Sequence, residues 1–440
     1  MNQEMLDLTT AALETAKRAA ADAARASLGK TRFVEIAYRE RKPETIKEAI
    51  TRRLTIDVYV DGRYSSQNTS DLRKEPLARF IENAVATTRL LAEDSFRSLP
   101  DPKYYQGRAD VDLAIADPAY ERVTPEDRHG LVKTMEDACL SAGGPKVVSV
   151  TASTRDDLSE STTMTTNGFS GYEKRTSFGA GATMTVQDEG DRRPNGYHYV
   201  SLRRRSALPD AKDIGRLAAE RTLALRGAKK LPTATLPVII ENRGVARVLS
   251  GFLGAMFAAN IQQKRSFLAD RRGQKVGSDV FTLVDDPLLV EGSASRLFDG
   301  DGFAARKRLM VDQGVLKELF VDWYYSRKLG WEPTTGGPSN LSIPAGKRSV
   351  EEIMRDLGRG ILVTDFIGGN SNPTTGDASV GIIGHLFEGG VRAQAVAEMN
   401  IADNHLKLWH KLAEAANDPW MYGGWRMPSL VFTDVVVSGV

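Results

Sequence analysis

Cysteine is almost missing from this chain. Cys139 is the only one in 440 residues, so no internal disulfide can form and stability must come from an apolar core. Its flanks, Met135, Ala138 and Leu140, read as those of an ordinary packed helix thiol. Long apolar runs are absent too: none approaches the roughly 18 residues of a membrane span. The opening MNQEMLDLTTAALETAKRAA carries acids and a helical pattern but no signal-peptide core. Together these absences predict a cytoplasmic protein with no membrane partner. An excess of either charge is also lacking, since 59 Lys and Arg face 57 Asp and Glu. That balance supplies no strong field for nucleic acid. Arg192-Arg193, Arg203-Arg204-Arg205, Lys264-Arg265 and Arg271-Arg272 read as solvated faces and strand edges.

Familiar catalytic signatures are missing as well. None of the five histidines, His129, His198, His385, His405 and His410, belongs to an H-E-x-x-H pair. His405 and His410 are five apart, so on a regular helix they diverge by about 140°. There is no G-x-S-x-G elbow, no S-x-x-K set and no phosphate-cradling G-x-x-x-x-G-K-[ST] loop. Asp299-Gly300-Asp301-Gly302 has the start of a calcium loop without its later acidic ligands. It reads instead as a turn whose aspartates bond neighbouring amides.

What is present is a patterned α+β chain. A helix is expected over residues 3–28, closed by Gly29. Alternation at Val34, Ile36 and Tyr38, and again from Leu54 to Val60, predicts strands. Asp61-Gly62 supplies a hairpin turn. Pro76 opens a second helix, and Thr124-Pro125-Glu126-Asp127 caps a third. Residues 146–204, rich in Val, Thr, Ser and Tyr, read as an antiparallel meander, followed by a helix over roughly 210–227. The stretch from Lys229 to Pro237 marks a boundary. It separates an N-terminal α/β domain with antiparallel sheet (1–228, with a possible subdivision near 100–125) from a C-terminal domain rich in antiparallel sheet (229–440). In the latter, Val238-Ile239-Ile240 starts a strand, a strongly apolar helix spans about 244–259, and smaller helices lie near 349–357 and 403–416. Leu430 to Val437 forms the closing strand.

The most distinctive stretch is glycine-rich and yet anchored: DFIGGNSNPTTGDASVGIIGHLFEGG, from Asp365 to Gly390. Val380, Ile382, Ile383, Leu386 and Phe387 give it the apolar contacts that a linker lacks, so it reads as tight turns and short strands. His385 within it is the best isolated candidate for a functional histidine. Together with SRLFDGDGFAARKRLMVDQGVLKELFVDWYYSRKLG, Asn167-Gly168, Asn417-Asp418 and Pro428-Ser429-Leu430, this stretch resembles the PmbA/TldE proteins, partners of the TldD metallopeptidase.

That resemblance implies an N-terminal α/β domain, an antiparallel C-terminal domain, and pairing into a shell around an internal chamber. In the TldD branch a helix early in the C-terminal domain carries H-E-x-x-x-H, and a cysteine near the C-terminus is a further zinc ligand. Carried onto this chain, the motif window falls on Ser250-Gly251-Phe252-Leu253-Gly254-Ala255. Ser250 and Ala255 stand for the histidines and Gly251 for the glutamate, while the lone cysteine is far upstream. The expectation is a non-catalytic TldE-type subunit without metal or cofactor of its own. It would pair with a zinc-bearing TldD-like chain to trim unfolded peptides or precursors. Thr335 to Asn340 and Gly368 to Gly376 suit close backbone approach, and Asn340, Gly381, Gly384 and His385 are the candidate substrate contacts. The family's older label, modulator of DNA gyrase, keeps a DNA- or gyrase-associated factor as one alternative. An autonomous peptidase with an unrecognised site, using His385, is the other.

Overall fold

The computed structural model describes residues 2–440. The N-terminal half runs α1 (Gln3–Arg18), β1 (Ala23–Arg39), β2 (Lys42–Val60), β3 (Arg63–Thr69) and α2 (Lys74–Thr88). It continues with α3 (Pro125–Gly143), β4 (Val147–Thr165), β5 (Ser170–Val186), β6 (Asn195–Leu202) and α4 (Ala211–Leu223). The strands form one antiparallel sheet in the order β3-β2-β1-β4-β5-β6. Because β1 pairs with both β2 and β4, the sheet runs unbroken across the 100–125 segment that separates them in sequence.

Period-two alternation decides which face the helices cover. Ala24, Ala26, Leu28, Val34, Ile36 and Tyr38, all even-numbered, are buried under them. The first three pack with α1 and α2, the last three with α3 and α4. Cys139 belongs to the second cluster, and burial pushes its thiol up to about 12, so it is inert. The opposite face carries hydroxyls that pair across strands, such as Ser27 with Thr163 and Thr31 with Ser159, each at 3.0 Å.

One expectation fails at the start. The first helix stops at Arg18 instead of reaching 28, Ala20 adopts a positive φ of 61°, and Ala24 and Ala26 lie within β1. Their small size matters more than their helix propensity, because α1 packs onto the sheet at fully buried alanines.

The C-terminal half begins with β7 (Ala234–Ile240), α5 (Asn242–Ala255), α6 (Ala258–Gln262), β8 (Leu283–Asp285), β9 (Arg308–Asp312) and β10 (Val315–Leu316). Then come α7 (Trp323–Leu329), β11 (Leu341–Ser342), α8 (Val350–Leu357), β12 (Arg359–Ser371), β13 (Asp377–Glu388) and β14 (Val391–Asn404). The last elements are α9 (His405–His410), β15 (Leu412–Ala415), β16 (Trp425–Arg426) and β17 (Leu430–Ser438). The apolar helix expected over 244–259 is thus two helices, broken at Met256-Phe257. The one expected over 403–416 is only the six-residue α9, after which the chain returns to strand.

The large C-terminal sheet has the order β14-β13-β12-β7-β17-β15, and β14 also pairs with β17. That extra pairing, Asn400 with Ser438 and Ile401 with Val437, closes five strands into a barrel. Only the β7–β12 pair within it is parallel. A smaller sheet, β10-β9-β8-β11-β16, packs beside it. The shared core centres on Phe252 of α5, which meets Phe281 and Trp409 edge-on at 5.3 and 5.8 Å. No helix of the described residues is long and apolar enough to cross a membrane.

The glycine island at Phe298 to Gly302 is the seam between the halves. Phe298 stacks edge-on against Phe169, and its ring fills the space a side chain on Gly171 would need. Arg25, paired with Asp57 at 2.6 Å, also donates to the Gly300 carbonyl. Asp299 accepts from the amides of Asp301 and Phe303, as a turn-building aspartate does.

Candidate functional site

At the barrel mouth, beneath α5, lies an apolar cavity of about 160 Å³. Every barrel strand contributes to it: Ile240 from β7, Phe366 from β12, Val380 from β13, Ile401 from β14 and Val435 from β17. Alternation along each strand sends these side chains inward, and Val248 closes the cavity from above. The rim is polar, with Arg247 and Ser250 on α5, Asn370 and Ser371 on β12, and Asp403 and His405 where β14 meets α9. Beyond it an open cleft of about 770 Å³ continues along the ends of β12, β13 and β14.

Gly251 faces this rim. A Cβ there would stand 2.5 Å from His405 Nε2 and 2.7 Å from Ser371 Oγ. Those two atoms bond each other at 2.8 Å. The His405 ring is 2% exposed and stacks on Phe267, with the planes 7° apart. Its Nδ1 is buried without a partner, and burial pushes its pKa down to about 4. It is a neutral imidazole at neutral pH. Ser250 points outward and donates to the Arg247 carbonyl at 2.8 Å, while Ala255 is fully buried.

Of the residues singled out in the sequence, the cavity therefore gathers Ser250 and Gly251 but not Ala255. Nor does it gather Asn340, Gly381, Gly384 or His385, and these four do not form one site. Asn340 is 3% exposed, and its amide is spent on the Asp286 carbonyl, the Ser295 hydroxyl and the Ala294 amide. At Gly381 and Gly384 the backbone that comes close is β12: the Ile367 carbonyl oxygen lies 2.6 Å from a Cβ on Gly381, and the Leu362 oxygen crowds Gly384 still more. His385 Nε2 bonds the Ala224 carbonyl at 2.9 Å, which ties β13 to the end of α4, and burial lowers its pKa.

Arg247, Ser371 and His405 escaped sequence reasoning. Ser371 and His405 are 34 residues apart and meet only because β12 and β14 flank β13. In the sequence His405 stands out only beside His410, whose ring is exposed and bonds the Leu406 carbonyl. The arginine run has an internal use. Arg203 is buried and donates to the carbonyls of Thr176, Gly292 and Ser293. Arg204 pairs with Glu291, and Arg205 reaches the Asp127 carbonyl.

Residues 118–226 match the model of the PmbA/TldA metallopeptidase central domain, and residues 233–439 that of the C-terminal domain. Metalloprotease PmbA of Escherichia coli O157:H7 is 26% identical over 95% of this chain and 92% of its own length. A PmbA homolog of Haemophilus influenzae is 27% identical, covering 99% and 96%. Among solved structures, a candidate modulator of DNA gyrase from Bacteroides thetaiotaomicron superposes with a TM-score of 0.97 at 35% identity, covering 100% of both chains. TldE from Thermococcus kodakarensis has a TM-score of 0.87 over 98% of this chain and 100% of its own, but at 20% identity that likeness is one of fold alone. With two domain models matched in order and a relative more than 30% identical over its full length, the chain belongs to the PmbA/TldD metallopeptidase family, as a protein of the PmbA/TldE type.

Proposed function

We propose that this chain is the non-catalytic subunit of a two-chain peptidase, pairing with a zinc-bearing TldD-like protein that trims unfolded peptides or peptide precursors. The observation that carries this reading is the packing around Gly251. In the window where the resemblance places H-E-x-x-x-H, the volume that a glutamate side chain would need is filled by the His405–Ser371 pair. The donors at hand do not suit zinc. Ser250 is a poor ligand at neutral pH, and Gly251 and Ala255 have no ligating atom. Among the described residues, no three His, Cys, Asp or Glu side chains stand close enough to share a metal ion. What the chain contributes is surface: a barrel mouth, a polar cleft and a wall of the shell.

The competing readings have less support. His385 is spent on a structural bond, and of the basic clusters a DNA-binding factor would use, Arg203 and Arg204 are engaged at the seam between the halves. The cytoplasmic setting remains part of the proposal. The test is to purify this chain and a TldD-like chain carrying H-E-x-x-x-H, then follow mass, zinc content and cleavage of an unfolded peptide. This chain alone is expected to bind no stoichiometric zinc and cleave nothing, and the mixture to form a 1:1 complex that cleaves. Equal cleavage by the TldD-like chain without this one would overturn the proposal.

A further inference from the structure

The cavity at the barrel mouth has a lining, a size and a rim charge that together specify a ligand. Its volume of about 160 Å³ is close to that of cavities walled by Leu, Ile and Phe that hold a benzene ring (about 150 Å³). It can take one phenyl or branched aliphatic group. A charged group cannot follow it inside, because nothing on the apolar wall would replace its hydration. The charge must sit at the rim, and there one positive charge is uncompensated. Arg247 is exposed, bonds only the carbonyls of Gly368 and Gly369 at 3.0 and 3.4 Å, and among the described residues has no carboxylate partner. Asp403 across the rim is neutralised by Lys411 at 2.6 Å. In the outer cleft, Asp377 is held by Thr375 and Asn404, and the charge of Lys407 offsets it, so Arg247 remains the unmatched cation. Arg247 and Gly251 are four apart on α5, so they share one helix face over the opening.

We infer that the barrel mouth captures the C terminus of a peptide, with an aromatic or branched aliphatic last side chain in the cavity and the terminal carboxylate on Arg247. The rest of the peptide runs out through the cleft lined by the ends of β12, β13 and β14. The inference rests on the subunit reading only for where such peptides come from. Its test uses this chain without any partner, so capture can fail while pairing holds, and the reverse.

The experiment is a calorimetric titration of the whole chain with the blocked tripeptide acetyl-Ala-Ala-Phe as free acid. Its C-terminal amide, acetyl-Ala-Ala-Ala and hexanoate serve as comparisons. The free acid should bind up to about fivefold tighter than the amide, as an exposed ion pair allows. It should also bind tighter than the alanine peptide. Arg247→Gln should bring acid and amide to one affinity without weakening the amide, and the surface position of Arg247 makes loss of folding no escape. Ala378→Leu, which narrows the cavity wall, should abolish binding of the phenylalanine peptide and leave the unfolding temperature within a few degrees. Equal binding of acid and amide by the unaltered chain overturns the inference. So does tighter binding of hexanoate than of the peptide, which would mark a fatty-acid site. Absence of binding at millimolar peptide by a folded chain does the same.

Discussion

His405 and Gly251 compete for one volume: the imidazole Nε2 stands 2.5 Å from the place a Cβ on Gly251 would take. A helix glycine normally costs stability. Here it is required, because α5 passes directly over a buried ring that has no room to move between Phe267 and Ser371.

Replacing that glycine should therefore reverse the usual sign. In an open helix Gly→Ala gains up to about 1 kcal/mol. Gly251→Ala should instead lose about 1–3 kcal/mol through overpacking. In a His405→Ala background the same change should become neutral or stabilising, a coupling that a double-mutant cycle in urea will measure. If Gly251→Ala stabilises the unaltered chain, the crowding argument is wrong.

Acid should weaken the C-terminal half through His405. Its folded pKa, about 4, lies below the ordinary value of 6.5, so the unfolded chain binds the extra proton first. Stability is complete above pH 6.5 and is lost as pH falls toward 4, by up to about 3 kcal/mol. His198, also pushed down to about 4 by burial, acts in the same direction. Unfolding free energies of His405→Gln should fall less steeply across this window than those of the unaltered chain. Parallel slopes would assign the acid sensitivity elsewhere.

Asp301 should act in the opposite sense. Burial, with Asp299 and Asp322 nearby, raises its carboxyl to about 6, against partial compensation from the Trp323 amide and Arg25. A raised folded pKa means that stability is lost as pH climbs from about 4 through 6. Asp301→Asn keeps the acceptor for Trp323 and removes the partly buried charge. It should stabilise the chain at pH 8 by up to about 3 kcal/mol, with the advantage fading below pH 5. A constant difference across pH would remove the charge from the explanation.

Gly384→Ala should fail as a folded protein, or lose more than about 3 kcal/mol, because the Leu362 carbonyl stands where the new methyl would be. A well-folded Gly384→Ala chain with altered peptide binding would return this glycine to the substrate path.

Local signals carried much of the fold. Asp61 and Gly62 both take positive φ, 51° and 68°, as the hairpin turn demands. Thr124 and Asp127 form the reciprocal cap that starts α3. The strand runs near Val34, Leu54 and Val238 all appear where alternation or continuous apolarity put them. Pairing between distant segments was not legible. Nothing in the composition of β7 says that it lies between β12 and β17, or that Ile401 meets Val437 to close a barrel. The glycine-rich run is strand and turn, as its apolar anchors require, yet Gly369, Gly381 and Gly384 serve β12–β13 contact, and only Gly368 and Gly389 face open space. The site followed the same division. The motif window on α5 could be found by position, but the cavity beneath it is built from five strands that only the closed barrel brings together.

The strand that opens the C-terminal half and the one that completes it lie side by side, with Ala234 paired to Val437 and Val238 to Phe432. That half is consequently a cassette whose entry and exit share one doorway. Joining those two ends and recutting the chain at the exposed Glu388-Gly389 turn should leave the barrel staves in place. The same layout concentrates fragility, since peeling away β17 would unlatch β7, β14 and β15 in a single event.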